Sequence, residues 1–406
     1  MPRLLLFAAT TGYQVRIFSE AARKLGIDLT LATDRCHILE DPWGDHAIPV
    51  RFEDVPASLA GLEGKQFDGI AAVGDRPALL AAEAAQFLGI PFHPPAAARA
   101  CHDKYLARQL FEAGGLPVPR FFRVPLSDPV SMAAGRAPYP CVLKPLGLSA
   151  SRGVIRADTP EQFAVAFHRI KAMLSHEGRE QYLQVEEYIP GREFAVEGIV
   201  TRGSVRILAL FDKPDPLEGP FFEETIYVTP SRETTTVQSV LLTTVERAVR
   251  ALGLYHGPFH AELRFNEFGA WMLEVAARPI GGLCAKTLRF GPAMPLEELI
   301  VRHAVGEDVS GLQLCDPASG VMMIPIPRAG IFEAVHGVED ASAVPGIEEV
   351  NITAKHGQEL VPLPEGASYL GFIFARGADA STVERALRCA HSSLRFQVAT
   401  ALPTMQ

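Results

Sequence analysis

The sequence predicts a chain of mixed α/β and α+β class that begins with a Rossmann-like N-terminal domain. Near the start, apolar runs at 3–9 and 27–33 flank an amphipathic stretch at 14–25, and the segments 68–73 and 89–92 continue the strand pattern. This βαβ alternation is typical of a parallel sheet covered by helices. The strand-to-helix turns lack the G-x-G-x-x-G spacing, so the pattern favours a Rossmann-like fold that does not bind a dinucleotide.

The composition is that of a globular protein with several domains. The chain has 406 residues, of which 48% are hydrophobic and 21% are charged, and about 150 residues per domain indicates two to four domains. A formal net charge of −9 argues against a nucleic-acid surface, because phosphate backbones select clustered Lys and Arg. The six cysteines form no CxxC pair, and no run approaches the ~20 apolar residues that span a bilayer. We therefore expect reduced thiols, a cytoplasmic location and no membrane contact.

Turn residues and changes of pattern predict where the domains meet. The segment 103–115 is helical by its period and is followed by Pro117 and Pro119, which indicates a helix end and an extended connector. Beyond it come short strands, interrupted by predicted helices at 160–175 and 236–252. A last helix at 381–391 begins with a Ser and has a Glu three residues on, the spacing of a capping box. The predicted domains are 1–100, 101–190, 191–315 and 316–406.

A loop of small residues, Gly147 to Gly153, lies between two predicted strands. Its sequence is GLSASRG, and the N–H groups of such a backbone can approach phosphate oxygens, while Lys144 and Arg152 supply positive charge. The loop does not match the Walker A pattern, and a strand follows it instead of a helix. Taken alone, it is either a phosphate-binding loop or the tip of a plain β-hairpin.

The most specific pattern is a predicted hairpin at 258–276. Apolar residues alternate with His260 and Glu262 along its first strand and with Glu274 along its second. A turn centred near residue 268 brings Glu262 and Glu274 directly opposite each other, where two carboxylates repel. Mg²⁺ would neutralise them, because it is bound by carboxylates together with substrate phosphates. The alternative is a solvated face that screens the charges.

Several sequence blocks, taken in order, resemble the ATP-grasp superfamily and most closely its L-amino acid ligases. The resemblance covers nearly the whole chain and implies a two-lobed ATP-grasp body, with nucleotide between two antiparallel sheets, and a small α+β C-terminal domain. The matching blocks are DGIAAVGDRPALLAAEAAQFLGIPF at 68–92, DKYLARQLFEAGGLPVPRF at 103–121, YPCVLKP at 139–145, VEEYIPGREFAVEG at 185–198, DKPDPLEGPFFEETIYVTPS at 212–231, HAELRFNEFGAWMLEVAARPIGG at 260–282 and GASYLGFIFARG at 366–377.

The resemblance implies a site for ATP. Lys104, Lys144 and the 147–153 loop would contact the phosphates. Backbone groups at positions 186, 187 and 189 would recognise adenine, and Glu193 would bind the ribose hydroxyls. The implied ATP-binding residues are Lys104, Lys144, Ser149, Ser151, Gly153, Glu186, Glu187, Ile189 and Glu193. Glu262 and Glu274 would hold Mg²⁺, with Mn²⁺ as an alternative ion. Many ATP-grasp enzymes have an Asn where this chain has Ala276, which leaves the third metal contact open.

The resemblance also implies the residues that act in the reaction. Arg278 would face the carboxylate or the acyl phosphate, since a planar fork suits an oxyanion. Lys144 and Arg152 would offset the repulsion between the attacking carboxylate and the γ-phosphate. His260 would either orient Glu262 or accept the amine proton.

The implied function is ATP-dependent ligation of a carboxylate, an amino acid or a similar acid, to an amine. An acyl phosphate would form first, because carboxylate oxygen is a poor leaving group, and ADP and phosphate would be released. The partners would be small-molecule acids and amines. The resemblance also implies a homodimer, the usual assembly in the family. Asp212, Lys213, Glu223 and Glu224 lie in a connection rich in Pro and Gly and line either the amine pocket or a solvated loop.

Three other functions stay open at this point. A different ATP-grasp ligase would act on a purine or cofactor intermediate or use bicarbonate. A phosphotransferase would stop at a phosphate ester, and a nucleotide-binding scaffold with degenerate chemistry would bind ATP without turnover.

Overall fold

The computed structural model describes residues 1–9, 14–34, 47–177 and 181–400. The sequence also predicts the first strand-to-helix turn at Gly12, and that position and Cys36 lie outside the described residues. Within the described ranges, no helix is both long enough and apolar enough to cross a membrane.

The first half of the chain forms a parallel unit, two connecting helices and a small antiparallel lobe. Its elements are β1 Arg3–Ala8, α1 Val15–Lys24, β2 Asp28–Thr33, β3 Ala47–Pro49, α2 Val55–Ala60, β4 Gly69–Val73, α3 Asp75–Leu88, α4 Pro95–His102, α5 Lys104–Ala113, β5 Phe121–Pro125, α6 Val130–Arg136, β6 Cys141–Pro145, β7 Ile155–Ala157, α7 Pro160–Glu177 and β8 Tyr182–Glu187.

The second half forms a large sheet and its covering helices. Its elements are β9 Arg192–Thr201, β10 Ser204–Lys213, β11 Ile226–Thr229, α8 Thr235–Leu252, β12 Gly257–Asn266, β13 Gly269–Ala276, β14 Arg289–Phe290, β15 Met294–Pro295, α9 Leu296–Ala304, β16 Ala318–Ile324, β17 Gly330–His336, α10 Val338–Ser342, β18 Ile347–Ile352, β19 Glu359–Leu360, β20 Gly371–Gly377, α11 Ala380–Ser393 and β21 Arg395–Ala399.

The N-terminal unit confirms the Rossmann-like prediction. Its sheet has the order β3-β2-β1-β4, and its pairs are parallel. Leu5 and Phe7 enter one core while Leu4 and Leu6 enter another, so β1 is buried on both faces, as a parallel strand requires.

The strand predicted at 89–92 is wrong. Gly89 instead ends α3 in the left-handed conformation, with φ of 68°, a common way to terminate a helix. Pro91 follows in an irregular segment that leads to α4, and a proline has no N–H to donate to a sheet.

The ATP-grasp body has two antiparallel sheets. The small lobe has the order β5-β8-β6-β7, and the large sheet has the order β13-β12-β9-β10-β11-β16-β20-β18. The large sheet crosses the predicted division between 191–315 and 316–406 without a break, because β11 pairs with β16. A small sheet, β19-β17-β21, completes the C-terminal unit.

The predicted C-terminal helix is confirmed, but its cap is not the predicted one. Asp379 precedes α11, and its Oδ1 accepts the N–H of Thr382 at 2.8 Å. Ser381, the expected capping residue, lies inside the helix. Asp is as good an N-cap as Ser, so the helix begins two residues earlier than the capping box predicted.

The hairpin brings Glu262 opposite Glu274, as predicted from the sequence, but by a different route. Asn266 pairs with Gly269, so the turn is one residue tighter than a turn centred on residue 268. A bulge between Glu262 and Leu263 then shifts the register by one residue and restores the pairing of the two glutamates. The bulge re-aims the strand, which is a common role of bulges near active sites.

Candidate active site

A cavity of about 400 Å³ lies where the N-terminal unit, the two ATP-grasp sheets and the C-terminal unit meet. Nearly all of the residues predicted for the site line it. They are Lys104, Lys144, Ser149, Ser151, Glu186, Ile189, Glu193, His260, Glu262, Glu274 and Arg278. Residues far apart in the chain therefore come together in one space.

The hairpin supplies the two predicted metal carboxylates. The Glu262 side chain is mostly buried, and the side chain of Glu274 is about one-third exposed with its Oε2 3.7 Å from the Lys104 ammonium. His260 Nε2 lies 3.2 Å from Glu262 Oε1, and its Nδ1 bonds to Glu197. Burial opposes the charge on His260, but the two carboxylates outweigh it and raise its pKa to about 9. His260 therefore holds Glu262 in place as a charged donor.

An ammonium group lies among three carboxylates on this face of the large sheet. Lys213 Nζ donates to Glu193 at 2.8 Å, pairs with Glu262 at 3.0 Å and bonds to Glu224. Oxygens of the three glutamates lie within 4.8 Å of one another. Burial opposes the charge of Lys213, but these carboxylates raise its pKa well above the usual value, so it is charged. We name this group the carboxylate cluster.

The carboxylate cluster has the chemistry of a magnesium site. Its donors are all carboxylate oxygens, which hard divalent cations prefer. Glu193 also pairs with Arg264 at 2.8 Å and Glu262 with His260 at 3.2 Å, whereas burial together with Glu262 raises the pKa of Glu224, so that its charged form is disfavoured. A divalent cation would favour that charged form. Ala276, paired with His260 across the hairpin, has no side-chain ligand atom to offer.

A second buried charge network lies on the small lobe. Glu186 accepts hydrogen bonds from Arg108 Nε at 2.9 Å and from Gln184 Nε2 at 2.7 Å, and it forms an ion pair with Lys144. Burial would raise the pKa of Glu186, but the two cations lower it to about 2. Burial in turn lowers the pKa of Lys144. Glu186 therefore fixes the direction of the Lys144 ammonium, which faces the cavity.

The 147–153 loop, here named the phosphate loop, forms one edge of the cavity. Ser149 and Ser151 line the cavity, and the Lys104 ammonium donates to the carbonyl of Leu148 at 2.5 Å. Ser151 has a φ of 55° and Gly153 a φ of 67°, so the loop turns sharply between β6 and β7. The backbone is thus folded back toward Lys104, as a phosphate-binding loop requires.

Three of the predicted residues do not line the cavity in the part of the chain that the structure describes. Arg152 Nε donates to the carbonyl of Glu365, and the Gly153 N–H donates to the carbonyl of Pro364, both at 2.9 Å. The Glu187 side chain points outward to Arg120, and its N–H donates to the Arg120 carbonyl. Arg152 and Gly153 therefore contact the C-terminal unit, and their role toward phosphate stays a prediction.

Arg278 is fixed by a residue of the N-terminal unit. Its Nε and Nη2 donate to the two oxygens of Asp75 at 2.9 and 3.2 Å. Burial opposes ionisation of Asp75, but Arg278 lowers its pKa to about 2. Asp75 is the first residue of α3, where a helix N terminus favours negative charge. The predicted oxyanion-facing residue is therefore oriented across two structural units.

Sequence reasoning missed three contributors to this site. The sequence patterns do not identify Arg108 or Asp75 as site residues, and they assign Lys213 only to an amine pocket or a solvated loop. Arg108 and Asp75 have their partners 78 and 203 positions away, and Lys213 pairs with Glu193 across 20 positions and with Glu224 across 11. A search for polar residues at predicted buried positions would have found Arg108, which is only 1% exposed.

Two domain families match the chain. An ATP-grasp domain matches residues 137–287, and the L-amino acid ligase C-terminal domain 2 matches residues 322–399. The two matched segments contain the hairpin and the C-terminal wall of the cavity.

Relatives and solved structures agree with these matches. The uncharacterized protein y4rH of Sinorhizobium fredii is 22% identical over 98% of this chain and 84% of its own length. The ATP-grasp enzyme fsqD of Aspergillus fumigatus is 26% identical over 65% of this chain, and carnosine synthase 1 of Gallus gallus is 27% identical over 64%. The chain spans 53% and 30% of these last two proteins. The structure of an L-amino acid ligase from Bacillus licheniformis has a TM-score of 0.81, with 24% identity, and covers 98% of this chain and 99% of its own.

The chain therefore contains an ATP-grasp domain and shares the fold of the L-amino acid ligase structure. Its C-terminal unit matches the C-terminal domain of the L-amino acid ligases. The family resemblance seen in the ordered sequence blocks is therefore confirmed.

Proposed function

We propose that the enzyme joins the carboxylate of an amino acid, or of a similar acid, to an amine and uses ATP through an acyl phosphate. The observation that carries the proposal is the cavity itself. It combines the hairpin glutamates, Lys104, Lys144 and Arg278 with the C-terminal domain of amino acid ligases. The acid would gain the γ-phosphate and release ADP, and the amine would then displace phosphate to leave an amide.

The nucleotide is proposed to lie between the two sheets. Lys104 and Lys144 would face its phosphates, Glu193 its ribose, and backbone groups of Glu186, Glu187 and Ile189 its adenine. Glu262 and Glu274 would hold Mg²⁺, with Glu224 as a further carboxylate beside Glu262. The ion would supply positive charge where phosphoryl transfer accumulates negative charge. The solved structure of a carboxyaminoimidazole ribonucleotide synthase with 15% identity and a TM-score of 0.72 was determined in complex with ATP, which supports ATP binding by this fold.

Arg278 would bind the carboxylate and later the tetrahedral oxyanion. Its bidentate contact with Asp75 leaves the guanidinium fixed at the cavity wall, so little reorganisation is needed as charge develops. His260 would act by holding Glu262, since both of its ring nitrogens are already paired with carboxylates. The amine would approach from the side of the C-terminal unit, whose Ser368 and Tyr369 line the cavity.

Other ATP-grasp ligases remain the competing function. Structures of a phosphoribosylglycinamide synthetase and of an N5-carboxyaminoimidazole ribonucleotide synthetase share the fold, with 18% and 13% identity. The match of 322–399 to the L-amino acid ligase C-terminal domain favours an amino acid acceptor.

The test is incubation of the full chain with ATP, Mg²⁺ and pools of amino acids. ADP, phosphate and new amide masses appearing in equal amounts support the proposal. AMP in place of ADP would refute the acyl-phosphate route, and a phosphate ester without amide would indicate a phosphotransferase. Nucleotide binding without turnover on a broad panel would indicate a scaffold. We also propose a homodimer, which light scattering on the purified protein would test.

A further inference from the structure

The phosphate loop is tied to the C-terminal unit by a short segment, residues 364–369, which we name the strap. The Gly153 N–H donates to the carbonyl of Pro364, and Arg152 Nε donates to that of Glu365, both at 2.9 Å. The Glu365 side chain accepts from Arg169 Nε and Nη2 at 2.5 and 2.8 Å. Arg169 belongs to α7 of the small lobe. One end of the strap is thus held by both the phosphate loop and the small lobe.

The other end of the strap forms a wall of the cavity. Ala367, Ser368 and Tyr369 line it, and the Tyr369 ring lies 6.1 Å from the ring of Phe372. Between the two ends, the Gly366 N–H donates to the carbonyl of Pro362 at 2.9 Å. A Cβ on Gly366 would meet the Val361 carbonyl oxygen at 1.7 Å. The turn is therefore tight, and a shift at Glu365 is transmitted to the cavity wall.

We propose that Glu365 is a positioning residue that couples closure of the phosphate loop to closure of the acceptor side of the cavity. The inference rests on the proposed ligase function. A loop that covers the nucleotide also draws the small lobe and Arg169 toward the strap, and the strap then brings Tyr369 against the second substrate. Water is excluded from both sides at once, and the acyl phosphate is protected until the amine attacks.

The ion pair between Arg169 and Glu365 contributes little to the free energy of folding, so we assign it a role in coupling and not in stability. The Arg169 and Glu365 side chains are 41% and 37% exposed, and such a pair adds little to folding free energy even in bidentate geometry. A second bidentate pair, Arg289 with Glu348, also joins the ATP-grasp body to the C-terminal unit, with both contacts at 3.1 Å and similar exposure. It lies outside the cavity lining, and Glu348 keeps a second partner in Arg376 at 2.8 Å, so the pair serves as a control for losing an exposed arginine contact between the same two units.

The experiment compares Glu365→Gln with the control Arg289→Gln in the full chain. Hydrogen exchange of the 147–156 backbone, followed by mass spectrometry without ligands, is expected to be about fivefold faster in Glu365→Gln, the change that loss of an exposed ion pair produces. With ATP, acid and amine, the ratio of ADP to amide is expected to rise about threefold or more in Glu365→Gln, because water reaches the acyl phosphate. Both readouts should stay at the wild-type value in Arg289→Gln.

Charge-reversal variants test whether the ion pair between Arg169 and Glu365 causes the coupling. Arg169→Glu alone should behave like Glu365→Gln, and the double variant Arg169→Glu, Glu365→Arg should return exchange and the ADP-to-amide ratio toward wild type. Equal exchange and equal ratios in Glu365→Gln, Arg289→Gln and wild type would overturn the proposal. A wild-type chain that forms no amide would instead refute the proposed function, and the exchange rates would still judge the coupling.

Discussion

At the scale of single residues, the site is governed by charge balance among buried groups. Lys213 is the clearest case, because its ammonium offsets three glutamates that would otherwise repel one another. Such a lysine is costly to remove, since Glu224 would lose its ammonium partner while Glu193 and Glu262 would keep only Arg264 and His260.

Lys213→Met should lower the free energy of unfolding by about 3–5 kcal/mol and reduce ATP turnover by orders of magnitude. Urea denaturation and steady-state ADP release measure the two effects. Added Mg²⁺ should recover part of the lost stability, since the ion can take the place of the ammonium. Lys286→Met is the control, because its partner Glu349 is about 39% exposed and the pair contributes less than about 1 kcal/mol. An equal loss in both variants would contradict the role assigned to Lys213.

The Asp75–Arg278 pair predicts a pH dependence. The folded-state pKa of Asp75, about 2, lies below its ordinary value of 3.8, so the pair stabilises the fold above about pH 4, and the contribution is lost as pH falls through about 2. Asp75→Asn should therefore be less stable by about 2 kcal/mol at neutral pH, and the difference should shrink to about half near pH 3. Urea denaturation at both pH values measures it, and a pH-independent difference would rule out this ionic origin.

At the scale of elements, a helix cap determines where a helix starts and therefore where the functional side chains of its first turn are placed. Asp103 caps α5 by accepting the N–H groups of Tyr105 and Leu106 at 2.9 and 3.0 Å. The next residue is Lys104, whose ammonium meets the phosphate loop. The cap therefore fixes both the helix and the start of the nucleotide site.

Asp103→Ala should lower stability by about 1 kcal/mol and weaken ATP binding several-fold, because the first turn of α5 frays and Lys104 loses its position. Asp379→Ala removes an equivalent cap from α11 and is expected to lower stability by a similar amount with unchanged ATP affinity. Thermal denaturation and calorimetric titration of ATP separate the two effects. Weakened binding in both variants would mean that global destabilisation is the cause.

At the scale of the whole molecule, the C-terminal unit is built into the central sheet. Strand β16 pairs with β11 on one side and β20 on the other, and Arg232 and Arg388 of the two units form further ion pairs across this junction. Removing the unit uncovers the four-residue edge of β11 and the apolar side chains of Ile226 and Val228 that pack in the C-terminal core, and such surface is prone to aggregation.

A chain truncated after Cys315 should accumulate as insoluble protein, although the matched ATP-grasp domain is intact in sequence. Co-expression of residues 316–406 as a separate chain should return soluble complex, because the exposed edges complement each other. Size-exclusion chromatography measures both results. A soluble, monomeric 1–315 fragment would show that the sheet does not need its C-terminal strands.

The sequence alone determined part of the element order and the pairing of two hairpin carboxylates. The period of apolar residues predicted β1, α1, β12 and the helices α5, α7 and α8, because burial of one face is a local requirement, but it did not predict α3, α4 or α9. It failed at 89–92, where Gly89 ends a helix, and at Ser381, which Asp379 replaces as the cap. The pairing of Glu262 with Glu274 also followed from the hairpin, although the bulge that completes it is not visible in the sequence.

Only the tertiary structure decided which charges meet. Lys213 joins glutamates from three different segments, Arg278 meets Asp75 across 203 positions, and Arg152 and Gly153 turn to the strap. These contacts form because separate cores bring distant strands and loops together, and a buried charge then bonds to whichever opposite charge is nearest. The period of apolar residues and the spacing of motifs describe residues that are close along the chain, so they do not predict these distant charge pairs.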